Sequence, residues 1–232
     1  MRIRENGLSP APFARNKKIA ALVLAAGRSS RAKSFKPLLR WGLESFLEKV
    51  CRSLFETSRF EEILVVTGFQ KESLEAALLK LSVNLVERVS SSIPTSSSKK
   101  FLISSVYNER YTTGMQSSIQ CGLRHLSKEW DGVLIALVDQ PQLDADDYSH
   151  LIQEFFVGER GLARAQFGSR VGNPAVIGKK YLNEILAHPE DDRGCAYLFQ
   201  RHSEDVTVVE MPNDRCLYDF DREDDLKNYL ST

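Results

Sequence analysis

The feature that most constrains the fold of this 232-residue chain is an apolar run that stops abruptly at a turn of small residues. Residues Ile19–Leu24 are continuously apolar, which is typical of a strand buried on both faces of a sheet. Ala25, Ala26 and Gly27 follow directly, and such small side chains let the backbone turn tightly and present N–H groups to a ligand. The sequence therefore predicts a buried strand whose carboxyl end borders a binding site.

Basic residues follow this turn on a polar loop, before the apolar pair Leu38–Leu39. They are Arg28, Arg31, Lys33 and Lys36. Together with the turn, they predict a triphosphate cradle in which backbone donors hold the phosphates and cations neutralise them. A βα turn with a solvated basic loop is the alternative. The motifs GxxxxGK[ST] and GxGxxG are absent from the sequence, which removes two common alternatives for phosphate binding.

Composition and charge exclude several classes of protein. Lys+Arg and Asp+Glu are both 31, so no excess of cations points to a nucleic-acid binder. The four cysteines are far apart and form no CxxC, which argues against zinc and favours reduced thiols. No apolar run approaches the roughly 20 residues that span a bilayer, and residues 1–18 lack the apolar core of a secretory signal. We expect a cytoplasmic protein that binds neither nucleic acid nor membrane.

Predicted strands and helices alternate through the first half of the chain. The strands are Ile19–Leu24, Glu62–Thr67 and Val83–Val89, and the helices are Leu43–Phe55 and Lys71–Leu81. This alternation predicts an α/β fold with a single doubly wound, mostly parallel sheet and helices on both faces. Ligands of such sheets bind at the carboxyl ends of the strands, where the small-residue turn also lies.

The alternation is interrupted by a serine-rich segment. Residues 90–98 contain six serines and a proline, and such a segment cannot bury enough apolar surface to order itself. We interpret it as a mobile surface insertion within or just after the third predicted strand. A regulatory or partner-binding role is the alternative.

A second candidate binding segment precedes and begins a predicted helix. Asn108 opens a polar loop, Thr112 and Thr113 are candidate caps, and Gly114 begins the helix. One helical face carries only small residues, namely Ser117, Ser118, Cys121 and Gly122. A flat base or sugar could lie against this face. Close packing of the helix on the sheet explains the same residues.

Two carboxylates end apolar runs and are candidate metal ligands. Val133–Val138 ends in Asp139, at the ligand end of the predicted sheet, where an uncompensated carboxylate is costly. Asp219 lies in a predicted strand, Leu217–Phe220, whose tip should reach the same edge. We expect Asp139 and Asp219 to hold Mg²⁺, with Asp221 as the competitor for the second place. An Asp139 that merely caps the next turn is the alternative.

The remaining pattern continues the alternation of helices and strands. Predicted helices are Asp144–Phe156, with Asp144 as N-cap, Lys179–Ala187 and Arg222–Leu230. Predicted strands are Ala163–Phe167, Val206–Val209 and a short one entered from the turn at Gly172–Pro174.

Five segments resemble, in order, motifs of the MobA-like nucleotidyltransferases, which have the nucleotide-diphospho-sugar transferase fold. Residues 24–39 resemble LAAGxSxRxxxxKxLL, and residues 108–122 resemble N…GMxxSL…G. LVDQP at 137–141, GNPAVI at 172–177 and DFDREDDL at 219–226 resemble the family's metal-binding motif, G[HN]P…[IF] and DIDTPEDL. Residues 191–196 are similar to GDxGAR but depart from it, with Asp191 for glycine, Cys195 for alanine and Ala196 for arginine.

The branch that this chain most resembles is the molybdenum cofactor cytidylyltransferases, because of LAAG and DQP. The resemblance implies transfer of CMP from CTP, or from another nucleoside triphosphate, to a phosphorylated pterin cofactor, with Mg²⁺ and release of pyrophosphate. It also implies a molybdoenzyme or its chaperone as protein partner. A sugar-phosphate or methylerythritol-phosphate cytidylyltransferase is one alternative. A non-catalytic nucleotide-binding module is the other.

The resemblance assigns roles to residues of this chain. The catalytic residues are Arg31, Lys36 and Asp139, and the metal ligands are Asp139 and Asp219. The nucleotide-binding residues are Leu24, Ala25, Ala26, Gly27, Arg31, Lys36, Asn108, Gly114, Ser118 and Asp139. The acceptor-side residues are Gly172, Pro174, Arg193 and Gly194. We expect a flexible arm at 1–17 and one nucleotidyltransferase domain at 18–232, with a loop insertion at 90–103.

Overall fold

The structure, a computed structural model, describes residues 17–28, 35–92, 103–127 and 129–220, together with Asp225 and Tyr229. Residues 86–92 are described as backbone alone. Several predicted features therefore lie outside the described residues. They are Arg31, Asp221, nearly all of the N-terminal arm, most of the serine-rich segment and most of the closing helix.

A seven-stranded sheet forms the centre of the described structure, with a short two-stranded hairpin beside it. The strands are β1 (Ile19–Leu24), β2 (Arg40–Trp41), β3 (Glu44–Ser45), β4 (Phe60–Thr67), β5 (Ile103–Tyr107), β6 (Gly132–Leu137), β7 (Leu162–Phe167), β8 (Arg170–Gly178) and β9 (Val206–Glu210). The large sheet has the order β5-β4-β1-β6-β8-β7-β9, and β2 pairs with β3. Every strand of the large sheet runs parallel to the others except β8, which is antiparallel to both of its neighbours.

Helices cover both faces of the sheet, as the sequence predicts. They are α1 (Phe46–Glu56), α2 (Lys71–Ser92), α3 (Met115–His125), α4 (Ala145–Val157), α5 (Leu182–Ala187) and α6 (Ala196–Arg201). The apolar cores divide accordingly: α1, α2 and α4 pack on one face, and α3, α5 and α6 on the other. None of the described helices is long and apolar enough to cross a membrane.

Strand β1 occupies the middle of the sheet because it is apolar on both faces. It pairs in parallel with β4 on one side and β6 on the other. Alternate residues enter opposite cores: Ala21 and Val23 contact the first, and Ala20 and Leu22 the second. The turn that follows β1 is therefore fixed at the centre of the sheet's carboxyl edge.

The predicted third strand, Val83–Val89, is wrong, because α2 runs on without interruption to Ser92. Leu74, Leu78, Leu81 and Leu85 are buried at spacings of three and four residues. This apolar stripe continues the helical period through the valine-rich segment and outweighs its strand propensity. The third strand of the large sheet in chain order is β5, an edge strand, so the serine-rich segment separates α2 from β5. Residues 90–92 end the helix, and 93–102 lie outside the described residues.

The predicted strand Leu217–Phe220 is also wrong. A 3₁₀ turn covers Asp214–Leu217, and the next three residues have no regular structure. Side-chain amides replace a strand partner here: the Gln142 Nε2 donates to the carbonyl oxygens of Arg215 at 2.8 Å and Tyr218 at 2.7 Å. The segment is held against the sheet edge without joining the sheet.

The predicted N-cap of α4 is confirmed and forms part of a larger polar cluster. The Asp144 carboxylate accepts from the N–H groups of Asp146 and Asp147, and Asp147 accepts in return from the Asp144 N–H. Arg215 donates to both carboxylates, at 3.2 Å to Asp147. Burial raises the pKa of the Asp147 carboxyl above its usual value, so this guanidinium compensates a desolvated acid.

We predict that Arg215→Met lowers the free energy of unfolding by about 2–3 kcal/mol, because Asp147 loses its guanidinium partner. Urea denaturation measures the change. Arg201→Met is the matched control, since Arg201 pairs with Glu184 at an exposed position and its loss should cost little. Equal effects of the two substitutions would contradict the prediction.

Candidate functional site

A cavity of about 490 Å³ opens at the carboxyl ends of β1 and β6. Its walls come from the turn after β1, the loop before β2, the start of α3 and the end of β6. The lining residues are Leu24, Ala25, Ala26, Gly27, Arg28, Lys36, Pro37, Tyr111, Thr112, Gly114, Met115, Ser118, Leu137, Val138, Asp139 and Asp192. We call it the first cavity. It brings together eight of the ten predicted nucleotide-binding residues.

The turn after β1 is anchored to β4 by its backbone. The Ala25 N–H donates to the Val66 carbonyl at 3.0 Å, and the Ala26 carbonyl accepts from the Phe69 N–H at 3.1 Å. The Ala25 N–H is therefore engaged within the sheet, so backbone donors for a ligand must come from later residues of the turn. Small side chains here leave the cavity floor open.

Gly27 is not required by the protein's own packing. Among the described residues, a Cβ placed on it meets no atom within 4 Å, and its backbone is not in the left-handed region. The space beside Gly27 opens into the first cavity, so a side chain would enter the volume that a ligand could fill.

Lys36 and Asp139 form an ion pair inside the first cavity. The Lys36 Nζ lies 3.1 Å from the Asp139 Oδ2, and their side chains are 13% and 21% exposed. A 3₁₀ turn, Lys36–Leu38, positions the cation, and the end of β6 positions the carboxylate. An anionic ligand can replace the carboxylate at Lys36, which frees Asp139 for a cation.

The start of α3 is set by a close backbone contact with residue 191. Gly114 has φ +115°, and a Cβ on it would lie 2.4 Å from the Asp191 carbonyl oxygen. That carbonyl accepts from the Gln116 N–H at 2.9 Å. The predicted capping by Thr112 or Thr113 is wrong: Gly114 is the N-cap, and no side chain bonds there. Only a glycine permits the segment after α5 to cross the helix end at this distance.

The small residues of α3 serve two purposes. Ser118 lines the first cavity. Gly122 instead allows helix and sheet to approach, since a Cβ there would lie 2.8 Å from Leu22 and 2.9 Å from Val66. Asn108 is buried, and its Nδ2 donates to the hydroxyls of Ser117 and Ser118. Asn108 thus orders the start of α3 and does not line the cavity.

The two predicted metal ligands are adjacent, but only Asp139 lines the first cavity. The Gln140 Nε2 donates to Asp219 at 2.9 Å, and the Phe220 N–H donates to the Asp139 carbonyl at 3.0 Å. Among the described residues, no three His, Cys, Asp or Glu cluster as metal ligands. One or two carboxylates beside a phosphate site nevertheless fit Mg²⁺, which keeps waters and substrate oxygens in its shell.

A second cavity, of about 340 Å³, adjoins the first along Met115 and Leu137. Its floor is formed by β6, β7 and β8, and its roof by α3 and α6. Of the predicted acceptor-side residues, Gly172 and Arg193 line it. Gly194 packs against Met115 behind the wall, and Pro174 is buried on β8 and does not line the cavity.

Several lining residues were missed by sequence reasoning. Asp192 reaches the first cavity because residue 191 is fixed against α3. Tyr111 stands at the rim, where the Arg28 guanidinium lies 5.5 Å from its ring centroid and donates to its hydroxyl at 3.4 Å. Arg164 lies on the floor of the second cavity. Of these, only Asp192 carried a signal, as a member of the GDxGAR-like segment.

The family model of the MobA-like NTP transferase domain matches residues 21–206. The chain belongs to this family. It is 27% identical over 206 residues to the bifunctional protein GlmU of Francisella philomiragia subsp. philomiragia. The match covers 75% of this chain and 45% of that protein, so the chain spans less than half the length of this curated relative.

Solved structures share the fold of this MobA-like transferase at low identity. Rv0371c from Mycobacterium tuberculosis H37Rv matches with TM-score 0.70 and 21% identity over 94% of this chain and 99% of its own. A nucleotidyl transferase from Methanothermobacter thermautotroptrophicus matches with TM-score 0.70 and 18% identity, over 91% and 95%. The 4-diphosphocytidyl-2C-methyl-D-erythritol synthase of Anaerococcus prevotii DSM 20548 matches with TM-score 0.64 and 16% identity, over 93% and 97%. Rv0371c is also known in complex with manganese.

Two glycines of the first cavity allow a paired prediction. Gly27→Ala should leave the melting temperature unchanged but weaken nucleoside triphosphate binding, because its methyl group enters only ligand space. Gly114→Ala should lower the free energy of unfolding by about 1–3 kcal/mol, because its φ and the Asp191 carbonyl both exclude a Cβ. Thermal denaturation with and without nucleotide measures both effects. A destabilised Gly27→Ala with normal nucleotide affinity would contradict the first assignment.

Proposed function

We propose that this nucleotidyltransferase transfers CMP from CTP to the phosphate of a phosphorylated acceptor and releases pyrophosphate. The proposed acceptor is a phosphorylated pterin of the molybdenum cofactor class. The observation that carries the proposal is the meeting of the two cavities at Met115 and Leu137. The first offers a phosphate cradle with a cation and a carboxylate, and the second offers room for another molecule within reach of it.

The proposed chemistry needs positioning and charge neutralisation rather than a protein nucleophile. The acceptor phosphate attacks the α-phosphorus of CTP, the bond to the bridging oxygen breaks, and pyrophosphate leaves with that oxygen. Lys36, inside the cavity, neutralises the negative charge on the phosphates, and Arg31 shares this role in the proposal. An ionised phosphate needs no general base. The two cavities hold the reactants together, which lowers the entropic part of the barrier.

A divalent cation completes this proposal. Asp139 would hold Mg²⁺ in the first cavity, with Asp219 as the second carboxylate. When bound, Mg²⁺ neutralises phosphate charge and acts as a Lewis acid on phosphate oxygens. The manganese complex of Rv0371c, a protein of the same fold, supports a divalent metal.

The preference for cytosine rests on the turn after β1. Ala26 is 3% exposed and lines the first cavity, and its carbonyl faces Gly68 closely enough to exclude a Cβ there. A methyl group at this position takes up room that a purine would need. The Anaerococcus synthase, whose name states a cytidyl product, has the same fold and supports the same choice.

We predict that CTP with Mg²⁺ raises the melting temperature more than GTP with Mg²⁺ does. Binding to the folded state stabilises it by about 2.7 kcal/mol at about 100 times Kd, so a modest difference in affinity is measurable. Gly27→Ala is the control that should reduce the shift for both nucleotides. Equal shifts with CTP and GTP in the unmodified protein would refute the preference.

We further predict that Asp139→Asn and Asp219→Asn each lower turnover by at least about a hundredfold, the order expected when a charge-stabilising group is lost. Asp221→Asn should mainly reduce stability, by about 1 kcal/mol or less, because Asp221 directly precedes the predicted helix Arg222–Leu230 and is the candidate for its N-cap. Turnover and melting temperature of the three variants decide the assignment. A near-normal rate for Asp219→Asn together with an inactive Asp221→Asn would show that Asp221, and not Asp219, is the second metal ligand.

Acceptor identity separates this proposal from its rivals. The GDxGAR-like segment has Ala196 where the family has arginine, and Ala196 lines the second cavity. A panel of phosphorylated pterin, sugar phosphate and methylerythritol phosphate, with pyrophosphate release as readout, tests the acceptor. Absence of pyrophosphate release from CTP with every acceptor of the panel would favour a nucleotide-binding module without transfer activity.

A further inference from the structure

The second cavity is lined by an arginine, Arg164, whose Nε has no hydrogen-bond partner among the described residues. Arg164 lies on β7, in register with Ala175 of β8 and Val208 of β9. Its Nε is enclosed by protein and forms no hydrogen bond with any described residue. The residue as a whole is only partly buried, but an enclosed N–H donor without an acceptor is unusual in a folded protein and is available to a ligand in the cavity.

The charged residues that line the second cavity indicate what kind of ligand Arg164 would bind. The lining includes two arginines, Arg164 and Arg193, and no aspartate or glutamate among the described residues. Arg193 lies at the rim, with a side chain 80% exposed and paired to Asp191 at 3.3 Å. The uncompensated positive charge is therefore on the floor, beneath Met115, Ile119 and Phe199. An anion is the complementary ligand for such a place.

The sheet register fixes where Arg164 stands relative to the first cavity. Arg164 pairs with Ala175, and Ala175 pairs with Ile135 on β6. Leu137, where the cavities meet, is two residues further along β6 towards the carboxyl edge. The backbone of Arg164 is therefore two strands away from β6, about 10 Å at the usual strand spacing, and one step before the level of the junction. We therefore place the group that Arg164 binds apart from the group that reacts beside Asp139.

We infer that Arg164 binds a second anionic group of the acceptor, at the end opposite its reacting phosphate. Among phosphorylated acceptors, this favours a molecule that carries a second negatively charged group. The body of the molecule would lie between the sheet floor and the side chains of Met115, Ile119 and Phe199. This inference rests on the proposed function for the identity of the cavity as the acceptor site. The presence of an anion site at Arg164 is tested independently of it.

Phenyl phosphate is the probe, and benzyl alcohol is its neutral analogue. The chain has three methionines, and Met115 alone among them lines the second cavity. Protein labelled with ¹³C at the methionine methyl groups therefore reports binding there through the Met115 signal, with buried Met211 as internal reference. CTP and Mg²⁺ in excess fill the first cavity during the titration.

The expected result is saturable binding of phenyl phosphate, with benzyl alcohol at least about tenfold weaker. Arg164→Leu should weaken phenyl phosphate binding at least about tenfold and abolish the preference for the anion. It should also leave the melting temperature about unchanged, because the enclosed Nε–H has no acceptor among the described residues to lose. Arg164→Lys keeps a positive charge and should retain part of the preference.

Two controls locate the effect. Arg170→Leu lies on the same hairpin, is exposed and does not line the cavity, so it should bind phenyl phosphate normally. Lys36→Ala alters only the first cavity and should also bind it normally. Phenyl phosphate binding that is lost in Lys36→Ala and kept in Arg164→Leu would overturn the inference. A marked loss of stability in Arg164→Leu would also overturn it, because the guanidinium would then have an internal partner.

The same samples separate this inference from the proposed function. A CTP titration that changes neither the Met115 methyl signal nor the melting temperature would refute the proposed function. In that case, binding of phenyl phosphate that depends on Arg164 in the absence of nucleotide would still support the anion site. Normal CTP binding together with absent phenyl phosphate binding removes the inference and leaves the proposed function standing.

Discussion

The burial of β1 on both faces is the constraint on which the rest of the structure depends. Because the strand is apolar throughout, it must lie between two others, and it pairs with β4 and β6. Its carboxyl end is then tied to β4 by the Ala25 and Ala26 backbone groups. The start of the turn is therefore held at the edge of the sheet, where Gly27 lines the first cavity.

A second close contact brings the later half of the chain to this site. The approach of residue 191 to Gly114 is so short that the side chains of Asp192 and Arg193 reach the first and second cavity respectively. Glu190 strengthens the contact by pairing with Arg110 at 2.9 Å and accepting from Thr113. One backbone crossing therefore brings a neighbouring residue to each of the two cavities. Reactants in a transfer reaction require a fixed geometry.

Much of the fold, and the centre of the site, could be predicted from local patterns. The apolar run of β1 and the Asp144 cap depend on neighbouring residues in sequence, and Lys36 and Asp139 follow from strand ends meeting at one edge. The strand predicted at Val83–Val89 failed because leucines that start in α2 continue the helical stripe through it. Arg164 could not have been found, because its place depends on β8 entering the sheet between β6 and β7 in the opposite direction. No local pattern in a sequence encodes that order.

The partners of three basic residues distinguish a structural role from a role in ligand binding. Arg215 compensates Asp144 and Asp147, and its partners are internal, so its role is complete in the folded chain. Lys36 pairs with Asp139 in the first cavity. An anionic ligand can replace this carboxylate at Lys36, and a metal can then bind to Asp139. The Nε of Arg164 has no hydrogen-bond partner among the described residues, although the residue as a whole is only partly buried. An enclosed donor without an acceptor is unusual in a folded protein, and binding an anion is the role that we infer for it.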